Sequence, residues 1–224
     1  MATWIAHLRI AERLLPLLPE IDATAFYIGS IGPDCGEPTE DSREFSPSVS
    51  VTHWSKTGLR QDIDGEAFFS AFLKNKADAV SYSLYLGYYL HLICDILWTN
   101  TVALPNAAKF QARFDADETF IDEVKRDWRS QDTLFLERNP DFFPLRLLLS
   151  VDSFKNSYLD YYPCDAFEKQ LGAFAVLYGQ GDGETIAEHK YLSENDMDSF
   201  VDAATKHLLQ TLHDKGITVV YHHF

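Results

Sequence analysis

His91 and Asp95 stand four residues apart inside an apolar run, Tyr85-Leu86-Gly87-Tyr88-Tyr89-Leu90-His91-Leu92-Ile93-Cys94-Asp95-Ile96-Leu97-Trp98. On a helix that spacing puts imidazole and carboxylate on one face, a turn apart. Burying both among apolar side chains is costly unless something satisfies them. A divalent cation would do so. A direct hydrogen bond between the two that orders a helical core would do so as well. With 8 histidines and 34 acidic residues in 224 positions, chance gives about one His-x-x-x-acid pair, and one is present. The apolar setting separates this pair from chance.

Three more residues of ligating type stand out along the chain: His7, Asp34 and His53. Each has an ordinary reading by itself. His7 is a helix-face histidine beside Leu8 and Ala11, Asp34 a turn residue after Pro33, and His53 a loop histidine between Val51 and Trp54. Taken with His91 and Asp95, they make three imidazoles and two carboxylates. That set suits zinc, with iron, nickel and manganese remaining open. It also leaves coordination positions for water, which a metal can activate to attack a phosphorus or carbonyl centre. Asp34 or Asp95 could orient such a water, and Arg60 or Arg126 could stabilise developing charge.

The elements that must carry these residues read as helices. Thr3 can cap a first helix to about Pro19, striped by Trp4, Ile5, Leu8, Ala11, Leu14, Leu15 and Leu18. Asp22 can cap a second over 23–30, stopped at Gly32-Pro33, so that Asp34 begins a loop. Residues 34–62 read as a long irregular segment of the kind that is functional or mobile. Helices follow over 64–74, from Asp78 to about Val102, and over 117–137. The apolar stretch 143–151 is ambiguous. Another helix starts at Pro163, a turn falls at 179–183, and Ser193 caps a last helix ended by Gly216. Thr218 to Tyr221 has strand propensity without a partner, and His222 and His223 read as a frayed terminus. The fold class is all-α, a single-domain multi-helix bundle of about seven helices over 1–224.

The order of Thr3-Trp4-Ile5-Ala6-His7-Leu8, Ile28-Gly29-Ser30-Ile31-Gly32-Pro33-Asp34, Thr52-His53 and the His91–Asp95 helix resembles the zinc-dependent phospholipase C and single-strand nuclease superfamily. Within it, the pattern is most similar to a bacterial cytosolic branch, and the likeness covers about 1–100. The resemblance implies a first metal on Asp34, His53, His91 and Asp95, and a second that shares Asp95 and uses His7. In the family's extracellular enzymes an N-terminal tryptophan also ligates through its amine and carbonyl; here Trp4 is internal, and its nitrogen is a peptide nitrogen. The family's third metal needs a histidine where this chain has Thr101, and a later His-x-x-x-acid pair that His189, His207 and His213 do not supply. One zinc is therefore expected, a second is allowed, and a complete trinuclear cluster is not expected.

The net charge of −15, with no basic run, argues against gripping nucleic acid or anionic lipid surfaces. No segment has the 18 or so apolar residues of a membrane span. With no secretory signal at Met1 and three widely spaced cysteines, a cytoplasmic chain without stable membrane insertion is expected. Cys35 and Cys94 read as small buried side chains. The expected activity is a metal-dependent hydrolase with a small or neutral-headed phosphoester as substrate, its oligomeric state open. Two alternatives stand beside it. One is a non-catalytic protein whose ion cross-links helices. The other is a metal-free binding module whose aromatic cleft draws on Trp98, Trp128, Tyr161 and Tyr162.

Overall fold

Short polar side chains start the principal helices by accepting the first free backbone N–H groups. A computed structural model describes residues 1–39, 44–75, 78–179 and 189–220. Thr3 caps α1 (Trp4–Leu14), which tightens into a 3-10 turn at Leu15–Leu17. Asp22 caps α2 (Ala23–Ile31). Gly32–Asp34 continues as a 3-10 turn, so Asp34 closes a helical turn instead of opening a loop.

The segment expected to be irregular has local order where it is described. β1 (Glu37–Pro38) pairs antiparallel with β2 (Phe45–Ser46), and α3 (Val49–Thr52) follows. A 3-10 turn, Arg60–Asp62, and a bridge between Ser55 and Ile63 complete it. Asp64 caps α4 (Gly65–Phe72), and Asp78 caps α5 (Ala79–Trp98), the helix of His91 and Asp95. A π turn at Thr99–Ala103 carries α5 into α6 (Leu104–Lys109) and α7 (Gln111–Ala116).

α8 (Phe120–Arg138) comes next. The ambiguous apolar stretch is a short helix, α9 (Phe143–Leu149), begun with Pro144 where no donor is needed. α10 (Ala166–Tyr178) and α11 (Glu194–Asp214) complete the helices; Ser193 and Asp196 cap each other's backbone at the start of α11. Gly216 ends it with φ +70, a left-handed conformation that glycine takes without strain. Thr218 to Val220 form no strand, and the Val220 N–H donates to Leu17 O. Residues 180–183 of the expected turn, Tyr221, and His222 and His223 lie outside the described residues. The fold is all-α, and β1–β2 is the one sheet among the described residues.

The α2–α5 pair is the centre of the packing. Two glycines permit backbone-to-backbone approach: a Cβ on Gly87 would meet Phe26 O at 2.2 Å, and one on Gly29 would meet Leu84 O at 2.1 Å. This closeness puts the end of α2 beside His91. α1 packs on α2, α5 and α11, laying His7 over the same point. Among the described residues, no helix is long and apolar enough to cross a membrane.

Candidate metal centre

His7 comes from α1, Asp34 from the turn after α2, His53 from the end of α3, and His91 and Asp95 from α5. The structure brings all five together. His7 Nε2 lies 3.5 Å from Asp95 Oδ1, and His91 Nε2 lies 3.9 Å from Asp95 Oδ2. His53 Nε2 is 3.4 Å from Asp34 Oδ1 and 3.7 Å from Asp95 Oδ2. The rings of His7 and His91 stack, centroids 3.8 Å apart. Two triads, His7–His91–Asp95 and Asp34–His53–His91, each gather their ligand atoms within 4.8 Å of one another. Ligands bound about 2.0–2.2 Å from one zinc stand roughly 3–4 Å from each other, so the spacing fits an ion.

The buried Nε2 atoms of His7, His53 and His91 have no hydrogen-bond partner among the described residues. Each faces a carboxylate at a separation too long for a good hydrogen bond and suited to a cation between them. The other ring nitrogens of His53 and His91 are used. His91 Nδ1 lies 2.9 Å from Ser30 O; a carbonyl only accepts, so Nδ1 carries the hydrogen and Nε2 the free lone pair. His53 Nδ1 meets Thr52 Oγ1 at 2.9 Å, and the Tyr88 hydroxyl donates to Thr52 O.

The carboxylates are oriented too. Trp4 Nε1–H donates to Asp34 Oδ2 at 2.9 Å, leaving Oδ1 toward His53. Ala2 N–H donates to Asp95 Oδ1 at 3.2 Å and Arg60 Nε–H to Oδ2 at 2.8 Å. Burial alone would raise both acids, but His53 beside Asp34 and His7 beside Asp95 hold them well below the usual carboxylate range. Burial, with His7 stacked against it, pushes His91 down to about 3. Burial also opposes charge on His7, yet Cys94 and Asp95 outweigh it and raise that residue to about 10. Ionised carboxylates and a neutral His91 are the forms that ligate metal.

A cleft of about 510 Å³ opens at this cluster. Asp34, His53 and Arg60 line it; Asp95, His91 and His7 do not. The β2–α3 segment supplies Phe45, Pro47 and Val49, α10 supplies Leu177 and Tyr178, and α8 supplies Lys125, Trp128 and Arg129. Arg60 is therefore at the centre, whereas Arg126 is not among the cleft residues. Of the four aromatics considered for a metal-free cleft, Trp128 lines it. Trp98 is fully buried, and Tyr162 donates behind it to Gly32 O and Pro33 O. Thr101 donates to Leu97 O at 2.7 Å. Cys35 and Cys94 are buried and belong to neither triad.

Sequence reasoning missed the Trp4 indole, whose spacing from His7 is ordinary core spacing. It also missed Lys125 and Arg129, which read as surface charges.

A family model described as zinc dependent phospholipase C matches residues 6–105, the stretch that holds all five clustered residues. No curated protein and no solved structure matches the chain significantly. Residues 6–105, just under half of the chain, are thus similar to the zinc-dependent phospholipase C family.

Proposed function

We propose that this protein is a metal-dependent hydrolase that cleaves a small-molecule phosphoester through a metal-activated water. One observation carries the reading: three buried imidazole nitrogens without partners, facing two ionised carboxylates, beside an open cleft. The donor set fits zinc. When bound, the ion supplies Lewis acidity and lowers the pKa of water.

The residues divide the remaining work. His7, His53, His91, Asp34 and Asp95 are the ligands. Asp95 Oδ1 faces His7 while Oδ2 faces His53 and His91, so Asp95 is the group able to join two ions. Its side chain is fully buried and absent from the cleft wall. Orienting water thus falls to Asp34 alone, although sequence reading allowed either aspartate. Arg60 anchors its Nε on Asp95, and its Nη groups have no partner among the described residues. They are placed to stabilise charge developing on a phosphate in the cleft.

The test is elemental analysis of protein purified without chelator or a nickel column, followed by assays on a phosphodiester, a phosphomonoester and single-stranded DNA. Bound zinc with small-phosphoester turnover that Asp34→Asn abolishes is the expected result. Bound metal without turnover would favour a structural ion. That second reading draws on Thr101, which stands where the family's third metal needs a histidine. Protein free of metal would overturn both.

A further inference from the structure

Positive charge is scarce in this chain, with 19 lysines and arginines against 34 acids, and most of its arginines are engaged. Arg9, Arg13, Arg60, Arg113, Arg138 and Arg146 each reach a carboxylate. Arg129 reaches none among the described residues; its Nε–H donates to Lys125 O at 3.3 Å. Lys125, one turn earlier on α8, likewise has no carboxylate within ion-pair distance among them. Both side chains are exposed and both line the cleft. Trp128, between them in sequence, also lines it; it is 5% exposed, and its buried Nε1–H has no acceptor among the described residues.

One wall therefore offers two cationic donors, Lys125 and Arg129, with the Trp128 side chain beside them. Its one acid, Asp122, pairs with neither cation. Like charges a turn apart destabilise the helix that bears them. No carboxylate among the described residues pairs with either cation. An anion in the cleft would offset their repulsion.

We propose that Lys125 and Arg129, beside the Trp128 side chain, form an anion subsite for a second negatively charged group on the substrate, separate from the phosphate held at the metal centre. The inference rests on the phosphoester reading and narrows it. The substrate is a small phosphoester with a further anionic group, joined to the phosphate by an apolar piece that packs against Phe45, Pro47 and Leu177. The cleft volume falls within the range of small-molecule sites, about 300–1,000 Å³. The overall charge pointed to neutral head groups, but the local field of this wall has the opposite sign and acts at shorter range than a Debye length.

Calorimetry on the zinc-loaded full chain tests this with non-hydrolysable probes: phenylphosphonate, and 3- and 4-carboxyphenylphosphonate. All should bind, with the better carboxylated isomer about tenfold tighter, as one charge-assisted contact provides. The double variant Lys125→Gln/Arg129→Gln, altered at exposed positions, should lose that advantage and keep its affinity for phenylphosphonate. Equal binding of the probes by the unaltered chain, or an advantage that survives in the double variant, would overturn the subsite and leave the phosphoester reading standing. Failure of all three probes to bind would remove the phosphoester reading, and the subsite with it.

Discussion

Two clusters that combine histidine with aspartate sit inside this protein, one on α5 and one on α8, and their hydrogen bonding differs in kind. On α8, Asp127 Oδ1 meets His189 Nδ1 at 2.9 Å, and Oδ2 accepts from Tyr191 N at 2.6 Å and Leu192 N at 3.2 Å. Gln131 Nε2–H donates to Leu192 O. Ser130 completes the composition of a hydrolytic triad, but its Oγ contacts the same Nδ1, at 3.1 Å. A proton relay needs serine and aspartate on different ring nitrogens. This cluster is saturated, and its work is to pin the 189–192 segment onto α8. Around α5, by contrast, three Nε2 atoms are left without partners among the described residues, while the Nδ1 atoms of His53 and His91 are engaged. Residue types alone do not separate a site from a staple; unfilled ligand atoms do.

The largest expected difference is in metal content. His91→Ala should abolish tight binding, a loss beyond the roughly 10–100-fold that follows removal of an outer-shell partner. His189→Ala should leave the metal in place. Elemental analysis of the two variants checks this, and equal metal in both would erase the contrast.

The α8 cluster should respond in stability instead. Asp127→Ala strands the buried Tyr191 and Leu192 N–H groups, at about 1–3 kcal/mol each. Urea unfolding should show a loss of about 2–6 kcal/mol with metal content unchanged. Loss of zinc with unaltered stability would mean that the roles of the two clusters had been exchanged.

Asp132 belongs to neither pattern. It is buried and accepts from Thr3 Oγ1 at 2.5 Å and Tyr178 OH at 2.8 Å, and no cation among the described residues pairs with it. Burial, only partly opposed by those bonds, raises its pKa from 3.8 to about 7. Between those values the folded chain keeps a proton that the unfolded chain has released. This group's contribution to stability therefore falls as pH rises through that window and is level above it. Asp132→Asn does not titrate. Relative to the unaltered chain, it should gain stability from pH 4 to 7 by up to about 4 kcal/mol, read by urea unfolding of chelator-treated protein. A difference independent of pH would show that Asp132 is ionised in the fold.

The sequence made the five clustered residues legible because types, order and an apolar setting coincided on a known family pattern. Helix starts were legible at Thr3, Asp22, Asp78 and Ser193, since capping is local chemistry. Contacts between residues far apart were not. Lys125 and Arg129 carry no local mark that distinguishes a cleft wall from any solvated face. The π turn after Trp98 and the break into α6 and α7 were hidden as well, because packing sets them more than propensity does. Asp34 lies in the cluster but on another element than expected, since Gly32-Pro33 reads equally as a helix stop and as a 3-10 turn.

Trp4 offers the finest probe of the α5 cluster, because it ligates nothing yet sets the aim of a ligand. Its indole N–H holds Asp34 Oδ2, while its ring packs near Phe174 and Tyr178, centroids 6.1 and 6.5 Å away. Trp4→Phe keeps an aromatic ring in that packing and deletes the donor. Asp34 can then rotate, and its Oδ1 is no longer fixed toward His53. Zinc affinity should fall about tenfold, at the lower end for an outer-shell partner, with one-for-one binding retained at saturating metal. Competition with a chromophoric chelator measures it. Trp4→His gives the ring a hydrogen-bond donor again, and partial recovery of affinity there would tie the loss to the lost bond. Equal affinity in all three proteins would show that the α3 and α5 ligands hold the ion without Asp34 being aimed.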